Sequence, residues 1–291
     1  GLPLSVKDLI SMEGVPWTFG SKPFAGNLGT VDAPAVARAR ANGACIIGKS
    51  TTSEFGCKGT GDSPLTGITR NPWNIARSAG GSSGGSAVAL ATGQAWLATG
   101  NDLGGSLRTP AGFNGVAGLR PSPGIVPRGK RLQPFDTLWV EGPMGRSIAD
   151  ISLMLDAGGG QVISDPLSID THVSSYLAAI KKEKPPKRVA FSNDLGIVPV
   201  AKEIVHATET AIRQLAKQGI DVTDEIPDFT GILNAFHTLR AVLLGTMMGE
   251  LLETSRDQIS EDIIGNIERG FTVTPKELFL AERLRWSLTQ K

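Results

Sequence analysis

The chain is 291 residues long, with 29 Lys and Arg against 28 Asp and Glu, a formal net charge of +1. That length allows one large domain or two small ones, and the near-neutral balance lacks the electrostatic footprint of nucleic-acid binding. No run of about 18 apolar residues offers a membrane span, and two cysteines, Cys45 and Cys57, are too few for a disulfide scaffold or a Cys-rich zinc site.

Glycine is the outlier: there are 36, and 29 of them fall in residues 1–160. Glycine serves positive φ and close backbone approach, so the first half is where chemistry is expected. Leu4-Ser5-Val6 reads as a short apolar strand ending at Lys7. Asp32 as cap and Pro34 in the first turn open a helix that Asn42-Gly43 closes, and a buried strand follows at 44–48. The Gly/Ser stretch at 78–86 leads into a helix over 87–91, and a strand is expected at 95–99. Gly104-Gly105-Ser106 opens a short helical segment towards Phe113. Ser147 caps a helix over 148–155. The second half is plainer, with a strand at 188–191, a helix at 201–218 and a strand at 220–222. Three helices follow, near 231–250, 256–269 and 275–290, the last capped by Thr274. Strand–helix alternation predicts an α/β sandwich with a mixed sheet.

Three motifs carry chemistry: Lys7 behind its strand, Gly80-Gly81-Ser82-Ser83-Gly84-Gly85-Ser86, and Asp102-Leu103-Gly104-Gly105-Ser106-Leu107-Arg108. A flexible linker is disfavoured by the apolar elements that flank both runs. A phosphate cradle lacks both of its usual motifs. Ser106 suits a nucleophile, because successive backbone N–H groups around it can hold an oxyanion. Its base is not an obvious histidine: His172, His206 and His237 all lie in the glycine-poor half, the last two within expected helices. A lysine serves instead if burial keeps it neutral.

Val6-Lys7-Asp8, the run at 80–86 and the segment at 102–108 together resemble the amidase signature family. Ser82 and Ser106 stand 24 residues apart, as that pattern requires, and Gly48-Lys49-Ser50, Glu54-Phe55, Phe113-Asn114-Gly115 and Gly118-Leu119-Arg120-Pro121 match in style. The resemblance covers residues 1–160 strongly and the rest loosely. It implies an α/β fold with a mixed, largely central β-sheet covered by helices on both faces. It implies a catalytic Lys7–Ser82–Ser106 triad with a cis peptide before Ser82. Leu103, Gly104, Gly105 and Ser106 would form the oxyanion hole, with Ser83, Asp102 and Arg108 in support. Gly56, Cys57 and Trp139 are expected at the substrate.

The implied activity is an amidase that cleaves a non-peptide carbon–nitrogen amide bond through an acyl-enzyme on Ser106. The alternatives are the glutamine-hydrolysing subunit of a tRNA-dependent amidotransferase and a non-catalytic binding protein. Leu107-Arg108-Thr109-Pro110 looks more like stand-alone amidases. Where many members carry threonines on either side of the aspartate, this chain has Asn101 and Leu103. No cofactor or metal is implied, the partner is a small-molecule amide rather than nucleic acid or membrane, and a homodimer and a cytoplasmic location are expected. Cys45 reads as inert core. Residues 1–291 are expected to form a single domain incomplete at both ends, with catalytic motifs in 1–160 and a helix-rich, substrate-side part in 161–291.

Overall fold

Lys7 ends a strand that lies inside a sheet, not at its edge. The computed structural model describes residues 1–129, 132–170, 173–182 and 184–290. They form two compact units, Gly1–Lys181 with Glu250–Gly265, and Lys182–Gly249 with Asn266–Lys291. In chain order the first runs β1 (Pro3–Lys7), α1 (Pro34–Ala41) and β2 (Cys45–Ser50). Two short hairpins follow, β3 (Asp62–Ser63) with β4 (Gly67–Ile68) and β5 (Arg70–Asn71) with β6 (Asn74–Ser78). Then come α2 (Gly84–Ala91), β7 (Leu97–Asp102), α3 (Arg108–Asn114), β8 (Ala117–Gly118), β9 (Val140–Gly145), α4 (Ile148–Gly158) and α5 (Tyr176–Ala179).

The sheet order is β2-β1-β7-β9-β8. Strand β1 is parallel to both neighbours, and β9 is antiparallel to both of its own, so the sheet is mixed and mostly parallel. Side chains alternate between its faces. Leu4, Val6 and Leu97 pack with Val36 and Ala39 of α1. Ala98, the next residue along, packs on the other face with Ala87 and Leu90 of α2 and Ala111 of α3. Following Val6, Lys7 is therefore directed to the side of α2. Strand β7 starts two residues later than expected and runs on to Asp102. All its residues are buried, although Gly100, Asn101 and Asp102 are residue types that read as a turn.

The turn after Ser106 is fastened to this sheet by Leu107, which is fully buried. Gly100 and Gly142 pair across β7 and β9. A Cβ on Gly100 would stand 2.6 Å from Leu107 Cδ2, and one on Gly142 would stand 2.7 Å from Leu107 Cδ1. The leucine fills the space that the two glycines leave.

Two expectations are corrected here. The N-cap of α1 is Ala33, with no side-chain cap bond. The Asp32 carboxylate instead accepts from the Glu13 N–H at 3.0 Å and from Arg40 Nε at 2.9 Å. Cys45 is exposed, because β2 is an edge strand whose first residue faces outward. Ser147 does cap α4, in a reciprocal box with Asp150.

The second unit holds the parallel pair β10 (Arg188–Ala190) and β11 (Asp221–Thr223), with α6 (Lys202–Lys217) and α7 (Ile232–Met248). The apolar stripe of α6 is not buried. Helix α8 (Leu251–Thr254) and the start of α9 (Glu261–Thr272) belong to the first unit, and α10 (Pro275–Thr289) packs on α7 in the second. Thr274 caps α10 as expected. Among the described residues no helix is long and apolar enough to cross a membrane.

Gly100→Ala is expected to destabilise the fold by about 1–3 kcal/mol, as overpacking does. Urea unfolding should show Gly100→Ala and Leu107→Ala to be strongly non-additive, because the shorter side chain relieves the clash; simple additivity would mean that Leu107 does not occupy this space.

Candidate active site

The site is built where β1, β7 and the approach to α2 converge. Lys7 is fully buried, with 0% exposure. Its Nζ lies 2.7 Å from Ser82 Oγ, 2.9 Å from Ser83 Oγ and 2.5 Å from Asn101 Oδ1. Its backbone N–H donates to Thr99 Oγ1 at 2.9 Å, which fixes the end of β1 against β7. Burial lowers the Lys7 pKa well below that of an ordinary lysine, and the opposing pull of Asp102, Glu141 and Cys57 does not restore it. Ser83 is the N-cap of α2. The positive end of that helix dipole therefore meets the amine and further disfavours its charged form.

Ser82 is buried, and the Gly81–Ser82 peptide is cis, as the resemblance implies. The Ser83 N–H donates to the Ser106 carbonyl at 3.3 Å, which brings the two serine segments together. Ser106 is half-buried, and its hydroxyl has no hydrogen-bond partner among the described residues. A buried amine of lowered pKa, a hydroxyl in contact with it and an unengaged hydroxyl on the adjoining segment are the kinds of group from which a nucleophile and its base can be built.

Asp102 organises the turn that carries Ser106. Its carboxylate is fully buried and accepts from Gly105 N–H at 2.8 Å and Leu107 N–H at 3.2 Å. It also pairs with Arg108 Nε at 3.0 Å and Arg120 Nη1 at 3.2 Å. Burial by itself would raise its pKa, but the bonds from Arg108, Gly105 and Leu107 outweigh that and hold it below the usual carboxylate range. Arg108 thus forms an ion pair with the carboxylate that holds the Ser106 turn, and Arg120 joins it. The two arginines also compensate a carboxylate that would otherwise favour a charged Lys7.

Within the expected oxyanion set Gly105 is the exception: its N–H is committed to Asp102. The N–H groups of Leu103, Gly104 and Ser106 have no partner among the described residues and remain available to an anion.

Gly56 lies beside Ser82, since a Cβ there would stand 3.2 Å from Ser82 Oγ and 2.6 Å from Leu9 Cδ1. Cys57 closes the same turn through its N–H to Glu54 O at 3.0 Å. That turn is anchored by Glu54, buried and accepting from Ser21 Oγ at 2.7 Å and from Ser260 N–H at 3.1 Å. Trp139 immediately precedes Val140, the β9 partner of Asp102; its N–H donates to Asp136 and its carbonyl accepts from Arg128. His206 and His237 are exposed on α6 and α7, and His172 lies outside the described residues. Asn101 and Thr99 were not among the expected site residues. Their contacts depend on the pairing of β1 with β7, more than 90 positions apart; the only local signal was the asparagine in place of threonine.

The lowered Lys7 pKa has a stability consequence. Between its depressed folded value and the ordinary 10.5, the unfolded chain binds a proton that the folded chain does not. Lys7 therefore makes the fold more stable as pH rises through that window. Unfolding of the parent and of Lys7→Met, compared from neutral to alkaline pH, should show the parent gaining relative to the variant. A pH-independent difference would place a charged lysine in the fold.

Comparison with known proteins agrees with this geometry. The Amidase family model matches residues 1–282. An acylamidase of Rhodococcus erythropolis is 40% identical over 229 residues, which is 79% of this chain and 48% of that protein. A glutamyl-tRNA(Gln) amidotransferase subunit of Roseiflexus sp. is 37% identical over 224 residues, 77% of this chain and 46% of that one. The solved structure of 6-aminohexanoate cyclic dimer hydrolase with substrate superposes with a TM-score of 0.87 at 30% identity, over 97% of this chain and 62% of that one. The chain thus spans about half the length of the curated relatives it matches. With its family model, its relatives and its buried Lys7–Ser82 pair in agreement, the chain belongs to the amidase signature family.

Proposed function

We propose that the chain carries the reaction centre of an amide hydrolase that acts on a small-molecule amide through an acyl-enzyme on Ser106. The observation that carries this reading is the fully buried Lys7 amine in contact with Ser82. In the first step the Ser106 oxygen bonds to the amide carbon as its proton passes to Ser82 Oγ and the Ser82 proton passes to Lys7. The carbonyl π electrons move onto oxygen, which the N–H groups of Leu103, Gly104 and Ser106 receive. Each such donor is worth roughly 10²–10³ in rate in comparable sites. The proton then returns through Ser82 to the nitrogen, the carbon–nitrogen bond breaks and ammonia or an amine leaves. Water adds to the acyl carbon by the same relay and releases the carboxylate and Ser106.

Trp17, Phe19, Phe24 and Phe55 pack together, with ring centroids 4.7–6.2 Å apart. Phe55 of this cluster directly precedes Gly56 in the chain, and a Cβ on Gly56 would stand 3.2 Å from Ser82 Oγ, which supports a substrate with an apolar or aromatic group. The acylamidase relative supports a stand-alone enzyme, and two cysteines that share no disulfide suit a reducing, cytoplasmic compartment. Gel filtration tests a homodimer. Co-purification with partner chains that are needed for glutamine hydrolysis would instead favour the role of an amidotransferase component.

A serine-directed fluorophosphonate should label the parent and not Ser106→Ala. Ser82→Ala should fold and label on the order of 10²-fold more slowly, the scale of a lost proton-transfer partner. Labelling should also slow as pH falls and Lys7 gains its proton. Equal labelling of parent and Ser106→Ala would overturn the nucleophile.

A further inference from the structure

Three oxygens surround the Lys7 nitrogen, yet a neutral amine has only two hydrogens to give. The partners decide where its lone pair points. The Asn101 amide oxygen can only accept. Ser83 Oγ donates its own hydrogen to the Asn101 backbone carbonyl at 3.4 Å, so towards the amine it too accepts. The remaining contact, Ser82 Oγ at 2.7 Å, is then the one in which the hydroxyl donates and the amine accepts.

We propose that Asn101 is a positioning residue for the base: with Ser83 it takes both amine hydrogens and so aims the lone pair at the Ser82 hydroxyl. Ser82, its own hydrogen committed to Lys7, presents an oxygen lone pair to the incoming proton of Ser106. As Ser106 oxygen bonds to the acyl carbon, one proton moves from Ser106 to Ser82 and one from Ser82 to Lys7. The ammonium so formed has three hydrogens and finds three acceptors already in place, so neither state requires rearrangement. This inference rests on the amide-hydrolase reading and assigns a role that the other site residues do not fill.

A second observation supports it. The Asn101 side chain is buried, and its Nδ2 has no hydrogen-bond partner among the described residues. An unsatisfied buried donor is costly, and a residue with no role beyond packing would be better apolar. An aspartate would supply the same oxygen with a charge that holds the proton on Lys7. Asparagine supplies the acceptor without it. The titratable groups that face Lys7 are Asp102 of β7, Glu141 of β9 and Cys57 of the neighbouring turn; Asp102 is already paired with Arg108 and Arg120.

The test compares the parent, Asn101→Leu and Asn101→Asp by two measurements: the pH titration of the Lys7 Cε resonance in 13C-labelled protein, and the pH dependence of fluorophosphonate labelling of Ser106. Removing an acceptor disfavours the ammonium, so Asn101→Leu should lower the Lys7 midpoint by about one pH unit. It should also lower the plateau labelling rate roughly tenfold, as misorientation of a reacting group does. Asn101→Asp, nearly the same shape, should move the midpoint up. An unchanged midpoint in Asn101→Leu, even with slower labelling, leaves only a packing role and overturns the proposal. If Asn101→Leu does not fold, an unchanged midpoint in Asn101→Asp overturns it instead. A parent that is not labelled at Ser106 counts against the amide-hydrolase reading, while the titration still decides whether Asn101 holds the amine.

Discussion

The structure depends on a primary amine kept out of water. A lysine with no exposed surface is a poor place for a positive charge, and among the described residues no carboxylate touches Lys7 Nζ to hold one there. Its three contacts are two hydroxyls and an amide. They satisfy the amine as a polar group without repaying the cost of ionising it. Nearby Asp102 and Glu141 act in the opposite direction, but Asp102 is occupied by two arginines and two backbone N–H groups. The balance lowers the proton affinity of a residue that in water would be a stable cation.

The rest of the fold serves that arrangement. The amine lies at the end of an interior strand. Ser82 and Ser83 approach it from the turn into α2, and Ser106 approaches from the turn after β7. Each turn is tied down separately: Ser83 to Ser106 through the backbone, the 103–108 turn to Asp102 through its amides, and Leu107 to the sheet through the gap at Gly100 and Gly142. The glycine excess in the first half follows in part from this, because a side chain at Gly100 or Gly142 would displace the leucine next to Ser106.

Much of this was legible in the amino-acid order, and unevenly. Helix starts that carry their own caps, Ser147 and Thr274, were readable because capping is local. The contact of Lys7 with Ser82 was readable because their spacing and glycine context form a motif. Whatever depended on pairing between distant strands was hidden. Cys45 begins an apolar run that reads as core, yet β2 is an edge strand and turns it outward. The Gly105 N–H looked like an oxyanion donor until Asp102, three residues earlier, was seen to claim it. Asn101 looked like a family variation until the parallel pairing of β1 with β7 placed it against Lys7.

The central claim is that Lys7 is an uncharged amine at neutral pH. The direct measurement is the Cε chemical shift of Lys7 in selectively 13C-labelled parent protein, followed from acid to alkaline pH. The account predicts a neutral-amine shift at pH 7 and a titration midpoint well below the ordinary lysine value of 10.5. An ammonium shift that persists to about pH 10, as for an ordinary lysine, would contradict it.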